Sequence, residues 1–325
     1  MSNRRIRING AYFFVLLLAA VVGLAWIFPD PGAKGGFLYT GITTRVAVFL
    51  IFVMQGLSLP TREVLKGLVR YRLHLAIQIF IFGVIPALVY AALLLLGRLF
   101  PYDLYMGFLF LAAVPTTIST SIVFTTQAGG ASTIALFNAS LANILGVFLV
   151  PLWVSLHVSQ EIPIPPVDTL ILKIMFIILL PFILGQVVRR WVRSWADVNK
   201  KRMSYASMGL ILFIVYAAFC NSVRSHTWQS LGADKILLAL VATLFLLLLV
   251  MLAGRIWWKV AGYERPEGIA FFFSATQKAL STGVPMAYTI FASTGLELAL
   301  VIVPLLFYHP LQLLLGSIIV GRLSR

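Results

Sequence analysis

The chain has 325 residues, of which 61% are hydrophobic and only 11% charged, yet it carries a net charge of +15. Globular proteins average about 45–50% apolar and about 25% charged residues, so a soluble enzyme is excluded. A nucleic-acid partner is excluded too, because the basic residues fall in short runs between long apolar blocks rather than on a continuous surface. Cys220 stands alone, which excludes an internal disulfide and a cysteine-based zinc cluster.

A membrane-crossing helix needs about 20 largely apolar residues, and ten such stretches follow one another along the chain. The first, 11–28, comes after Arg4, Arg5 and Arg7 like a signal peptide. Its apolar run is longer than such a leader needs, and Phe28-Pro29-Asp30-Pro31 is a poor cleavage site, so it is kept as a helix. The others run over 41–57, 73–96, 104–128, 131–155, 169–189, 204–222, 235–256, 267–292 and 296–320. The expected fold is all-α: a single polytopic membrane domain, 1–325, with ten transmembrane helices and short connections.

The distribution of charge orients these helices. When consecutive loops are assigned alternately to the two sides, eighteen of the 25 basic residues collect on one side: Arg4, Arg5 and Arg7, the loop with Arg62 to Arg72, the run from Arg189 to Arg202, Arg255 to Arg265, and Arg322 with Arg325. The other side holds Lys34, Arg45, Arg98, Lys173, Arg224 and Lys235. Basic loops stay in the cytoplasm, so both termini are expected to be cytoplasmic and the protein to sit in the cell (inner) membrane. The Trp residues at 153, 191, 195, 257 and 258 lie near span ends, as interfacial anchors do.

Five helices in each half, 11–155 and 169–320, give the halves opposite orientations, the arithmetic of an inverted repeat. The fourth and ninth spans are then equivalent, and they are also the most polar and least helix-like. Pro115 is followed by Thr116, Thr117, Ser119, Thr120, Ser121, Thr125 and Thr126; the ninth span contains Ser274, Thr276, Gln277, Lys278, Ser281, Thr282, Gly283 and Pro285. A proline removes a backbone donor and frees a carbonyl, and lipid offers nothing to satisfy it, so such segments persist only against protein or a cavity. A matched pair of broken helices points to a transporter's binding site. For either tract alone, close helix packing through small residues would be an adequate account.

Pro115-Thr116-Thr117-Ile118-Ser119-Thr120-Ser121, Ala128-Gly129-Gly130 and Thr276-Gln277-Lys278 resemble the bile acid:sodium symporter superfamily of the solute carrier 10 type. The tract 115–131 is most similar to its member-seven-like branch of bacterial and fungal homologues. The resemblance implies core and panel domains, with helices 3–5 and 8–10 in the core, helices 1, 2, 6 and 7 in the panel, and broken helices 4 and 9 crossing in the core. It further implies that Thr120, Ser121 and Asn138 belong to a first sodium site and Gln277 to a second. It also marks departures: Phe273 stands where the family has a glutamate shared by both sites, Lys278 where it has an asparagine, Ile134 where it has a serine and Ile81 where it has a glutamine, with Gln78 a turn earlier.

The ten acids, Asp30, Glu63, Asp103, Glu161, Asp168, Asp197, Asp234, Glu264, Glu267 and Glu297, all fall in loops or at helix ends. Calcium takes six to eight oxygens, several of them carboxylate, so a calcium-transport site at membrane depth is not expected. Lys278 is the one charge placed deep in a span, and such residues are rare and commonly functional. It either reaches toward water along the break, or it is a fixed cation whose three donors are satisfied by Thr120, Ser121, Asn138 or freed carbonyls, or it carries a proton. His309 beside Pro310, Asn143, Gln127 and Gln55 are weaker candidates.

The sequence therefore predicts a secondary active transporter that moves a small organic anion by alternating access and is not an enzyme. Its ion- or substrate-binding residues are Thr116, Thr117, Ser119, Thr120, Ser121, Asn138, Thr276, Gln277, Lys278 and Ser281. The expected partners are the lipid bilayer and the anion, with no cofactor beyond Na⁺ or H⁺ as coupling ion. The alternative is a transport-silent membrane regulator, for example of calcium homeostasis.

Overall fold

The computed structural model describes residues 2–59, 70–157, 169, 172, 175–292 and 294–324, with side chains from residue 13 onward apart from Met175. Arg62, Lys66, Lys173, Arg325, Glu63, Glu161, Asp168 and most of 169–175, where the sixth span should begin, lie outside the described residues, as do the side chains of Arg4, Arg5 and Arg7. Helices are the only regular secondary structure among the described residues, which contain no strand.

Helix α1 covers Ser2–Ile27 and α2 covers Thr40–Ser58. Helix α3 runs over Tyr71–Leu99 and widens to a π-helical turn at Phe80–Val84. Pro86 explains the widening. It has no N–H to give to the carbonyl four residues back, and its ring crowds that carbonyl, so the chain takes a wider turn in which the Ile85 N–H bonds to Phe80 O. Next come α4 (Tyr102–Ala113), α5 (Ile118–Gln127) and α6 (Ser132–His157), then the 45-residue α7 (Leu180–Arg224) and the short α8 (Thr227–Leu231). The chain ends in α9 (Ala233–Val260), α10 (Arg265–Thr276), α11 (Leu280–Phe291) and α12 (Leu298–Leu323).

Among the described residues, six helices are long and apolar enough to cross a membrane, and α4 with α5, bent by 56° at their junction, make a seventh if taken as one span. That is fewer than ten apolar stretches, for identifiable reasons. Side chains of α1 are described only from Phe13, so its described apolar part is Phe13–Ile27. The ninth stretch is divided into α10 and α11, of 12 residues each. The loop expected over 190–203 is a correction: it is helical and joins the sixth and seventh stretches into α7, with non-helical angles only at Val192 (φ −108°, ψ 22°). No glycine or proline occurs there to stop a helix. Arg189 closes the bend, its Nη2 donating to Asp197 Oδ1 at 2.6 Å and its Nη1 to Leu57 O.

Two compact units divide these elements. One comprises Met1–Leu59, Ile162–Ala233 and Val284–Ala299; the other comprises Pro60–Glu161, Asp234–Gly283 and Leu300–Arg325. In the first, α1 and α2 pack on α7. The Tyr216 hydroxyl donates to Phe28 O at 2.6 Å, and Thr44 Oγ1 donates to the Tyr288 hydroxyl oxygen at 2.6 Å. In the second, α4 and α5 pack on α6, and α10 packs on α3, α5 and α6. The turn leaving α5 uses Gly129 at φ 78°, a left-handed conformation that glycine adopts without cost. The next residue but one, Ala131, donates its N–H to Pro266 O at 2.9 Å and so fixes that turn to the start of α10.

Backbones approach closely where α2 meets α7, because glycines face each other. A Cβ on Gly185 would collide with Val53 O and one on Gly56 with Phe182 O, whereas nothing lies within 4 Å of a Cβ built at Gly209. Gly185→Ala should therefore destabilise the detergent-purified protein by about 1–3 kcal/mol, while Gly209→Ala in the same helix should be neutral or stabilising by about 0.5–1 kcal/mol. Thermal unfolding of the two variants beside the wild type checks the contrast.

Candidate functional site

The second unit contains both breaks. Helix α4 ends at Ala113, residues 114–117 are unwound, and α5 begins at Ile118; α10 ends at Thr276, residues 277–279 are unwound, and α11 begins at Leu280. Val114 and Gln277 are extended (ψ 133° and 155°), so each helix stops abruptly. The two unwound segments meet: the Ala279 N–H donates to Pro115 O at 2.8 Å. Pro115 has no N–H to return, so the pairing is a single bond.

Polar side chains satisfy the remaining freed backbone. The Lys278 ammonium, 1% exposed, donates to Ala112 O at 2.6 Å and Val114 O at 2.8 Å. Gln312 of α12 clamps the same residue from the other side, accepting from the Lys278 N–H at 2.8 Å and donating to Lys278 O at 2.8 Å. The Gln312 amide nitrogen also lies 2.9 Å from His309 Nδ1. Tyr308 donates to Thr276 O, the final carbonyl of α10, at 2.8 Å. Asn143 of α6 joins both breaks: its Nδ2 donates to Thr116 O at 2.9 Å and its Oδ1 accepts from Thr282 at 2.7 Å.

The sequence candidates divide into groups. Thr120 donates to Gln277 Oε1 at 2.6 Å, and the Ser121 and Ser274 hydroxyls are 3.3 Å apart, so α5 and the ninth-span break share two polar contacts. Thr116 and Thr276 are fully buried, the latter bonding back to Phe272 O at 2.8 Å, and Thr117 is buried as the residue preceding α5. Ser119 and Ser281 are exposed. Asn138 is buried elsewhere in the unit, where its Nδ2 donates to His74 Nδ1 at 2.8 Å and its Oδ1 accepts from Gln78 at 3.1 Å. Gln78 therefore reaches Asn138 from α3, one turn before the position of Ile81.

Of the partners expected for Lys278, the structure has the freed carbonyls rather than Thr120, Ser121 or Asn138: both acceptors lie at the end of α4. Nor does the side chain extend toward water. Phe273 packs its ring 5.5 Å from that of Phe124, which makes that part of the unit apolar. Gln312, Tyr308 and His74 were not singled out from sequence, although a glutamine within an apolar span is itself a signal. Several buried side-chain atoms of this unit lack a hydrogen-bond partner: Gln277 Nε2, Thr116 Oγ1, Gln78 Oε1, Thr125 Oγ1 and Ser140 Oγ.

Replacing Gln312 by Leu would orphan the Lys278 N–H and carbonyl at once. A buried polar group left unsatisfied costs about 1–3 kcal/mol, so Gln312→Leu should lower the melting temperature clearly, and Gln312→Glu, which keeps only the acceptor, by a different amount. Thermal melts of both variants measure this.

A family model described as the SBF-like CPA transporter family matches residues 12–325. An uncharacterized protein of Pseudomonas aeruginosa is 33% identical over 312 residues, covering 96% of this chain and 92% of the relative. Sodium/bile acid cotransporter 7 of Mus musculus is 31% identical over 320 residues (96% and 92%), and that of Danio rerio is 31% identical over 319 residues (96% and 93%). The named relatives are transporters rather than enzymes. With a match over nearly its whole length and breaks at Pro115 and Gln277–Ala279, the chain belongs to the SBF-like CPA transporter family, within the bile acid:sodium symporter superfamily.

Proposed function

We propose that this transporter is a secondary active carrier of a small organic anion, working by alternating access in which the meeting point of the two breaks opens to each side of the membrane in turn. The observation that carries this is the junction itself: two unwound segments joined by the Ala279–Pro115 hydrogen bond, with a buried ammonium beside them. Helices α5 and α11 begin at the breaks, and the start of a helix offers free N–H groups and partial positive charge to an anion. Lys278 adds charge of the same sign, and Gln277 Nε2 and Thr116 Oγ1 are buried polar groups without a partner.

In this proposal ten segments cross the membrane. The bend at Val192 separates the sixth from the seventh, α4 with α5 form the fourth, α10 with α11 form the ninth, and the halves 11–155 and 169–320 are inverted repeats with core and panel roles. The basic loops support a cell (inner) membrane protein with both termini in the cytoplasm. Thr116, Thr117, Ser119, Thr120, Ser121, Thr276, Gln277, Lys278 and Ser281 supply the binding groups around the junction, and Asn138 a more distant one.

The test is flux into proteoliposomes from a panel of labelled aliphatic and aromatic carboxylates and sulfonates. At least one anion should be taken up saturably, and Thr120→Ala and Gln277→Ala should each reduce its uptake at least about tenfold, as loss of a buried hydrogen bond to cargo or its frame implies. A regulator that carries nothing predicts no uptake and full tolerance of both substitutions, with sensitivity confined to the cytoplasmic loops.

A further inference from the structure

Lys278 is buried without an acid. Among the described residues no ion pair includes it, and its Nζ is held only by Ala112 O and Val114 O. These two oxygens belong to the end of α4, where carbonyls have no intrahelical partner and the helix dipole is negative. In an apolar interior such carbonyls require a donor or a cation. Thr276 O, at the end of α10, takes its donor from Tyr308; the end of α4 takes an ammonium.

Elsewhere in the unit, three side-chain amide oxygens are already engaged, while Gln78 Oε1 and Thr116 Oγ1 have no hydrogen-bond partner. Gln277 Oε1 accepts from Thr120, Asn138 Oδ1 accepts from Gln78, and Asn143 Oδ1 accepts from Thr282. On α10, Phe273 sets its ring 5.5 Å from that of Phe124. The backbone of residue 278 is meanwhile fixed on both its N–H and its carbonyl by Gln312. The ammonium is thus delivered to the carbonyls by a rigidly held Cα.

We infer that Lys278 is a tethered cation: its ammonium permanently occupies a carbonyl site that a small monovalent cation would fill if residue 278 were neutral, so the junction needs no separately bound sodium ion. The consequence for coupling rests on the carrier proposed above; the occupancy of the site does not. Removing the side chain beyond Cβ takes away Cγ, Cδ, Cε and Nζ and leaves a hole, ending at Ala112 O and Val114 O, with room for a small alkylammonium ion. A soluble amine of that size should re-enter it.

The experiment is a set of thermal melts of detergent-purified wild type, Lys278→Ala and Lys278→Met, in choline, sodium, ammonium and methylammonium chloride at matched ionic strength. Lys278→Ala should melt at least about 5 °C below the wild type in choline, and ammonium or methylammonium should restore stability saturably, because a ion binding only the folded state raises its apparent stability. Lys278→Met fills the volume without charge and serves if Lys278→Ala does not fold; it should melt well below the wild type and not respond to amines. Wild-type stability of Lys278→Met, absence of any amine effect on a folded Lys278→Ala, or saturable stabilisation of the wild type by sodium but not choline would each overturn the inference. None of these depends on flux, so a wild type that carries no anion would sink the carrier while leaving the melting result to decide the tethered cation.

Discussion

A carbonyl freed from a helix inside an apolar protein must find a donor, and much of the second unit is arranged around that requirement. Breaking two helices at 114–117 and 277–279 releases acceptors that water would satisfy in a soluble protein. Here the donors come from five different sources: the Ala279 N–H, the Lys278 ammonium, the Tyr308 hydroxyl, and the amides of Gln312 and Asn143. They reside on α6 and α12 as well as on the breaks themselves. The breaks are therefore not isolated defects, since each is held by helices that are themselves continuous.

The location of the breaks was legible in the sequence because it depends on local chemistry. Pro115 cannot donate and is followed by hydroxyl residues that compete for the backbone, and the tract around Gln277 and Lys278 is polar where an uninterrupted span would be apolar. The partners were not legible, because they are fixed by tertiary contact. Nothing local says that Gln312 reaches residue 278, 34 positions away, or that Asn143 joins Thr116 to Thr282. The same limit explains α7: apolar periodicity divides two stretches, but whether the polar residues between them form a loop or a bent helix depends on Arg189 finding Asp197 and Leu57 O. Position 81 is a further case. The π-helical turn at Phe80–Val84 changes the register of α3, and Gln78, not Ile81, contacts Asn138.

Phe273 and Lys278 belong together physically. A carboxylate at 273 would be a buried charge facing the Phe124 ring, tolerable only with a cation close by, and an ammonium at 278 would be hard to hold beside a second, mobile cation. With phenylalanine at the first position, no ion pair among the described residues includes the lysine, and carbonyl oxygens hold it. Lys278 and the end of α4 thus form an arrangement built on a cation and helix-end carbonyls.

Backbone and side chains at the junction are treated differently. The freed carbonyls of Ala112, Val114, Pro115, Thr116, Thr276 and Lys278 each have a donor, whereas Gln277 Nε2 and Thr116 Oγ1, side-chain atoms of the same segments, have none. A buried polar group without a partner costs stability and calls for a reason. An arrangement in which every group were satisfied internally would have nothing left to offer a cargo, and one in which the backbone were unsatisfied would not keep its shape when the cargo left. In the carrier proposed above, satisfying the frame while leaving side-chain atoms unpaired would meet both conditions, since the geometry would be fixed before binding and the cargo would gain hydrogen bonds the protein does not make for itself. That division of roles is what a carrier requires, because it must hold and release the same molecule repeatedly without rebuilding the site.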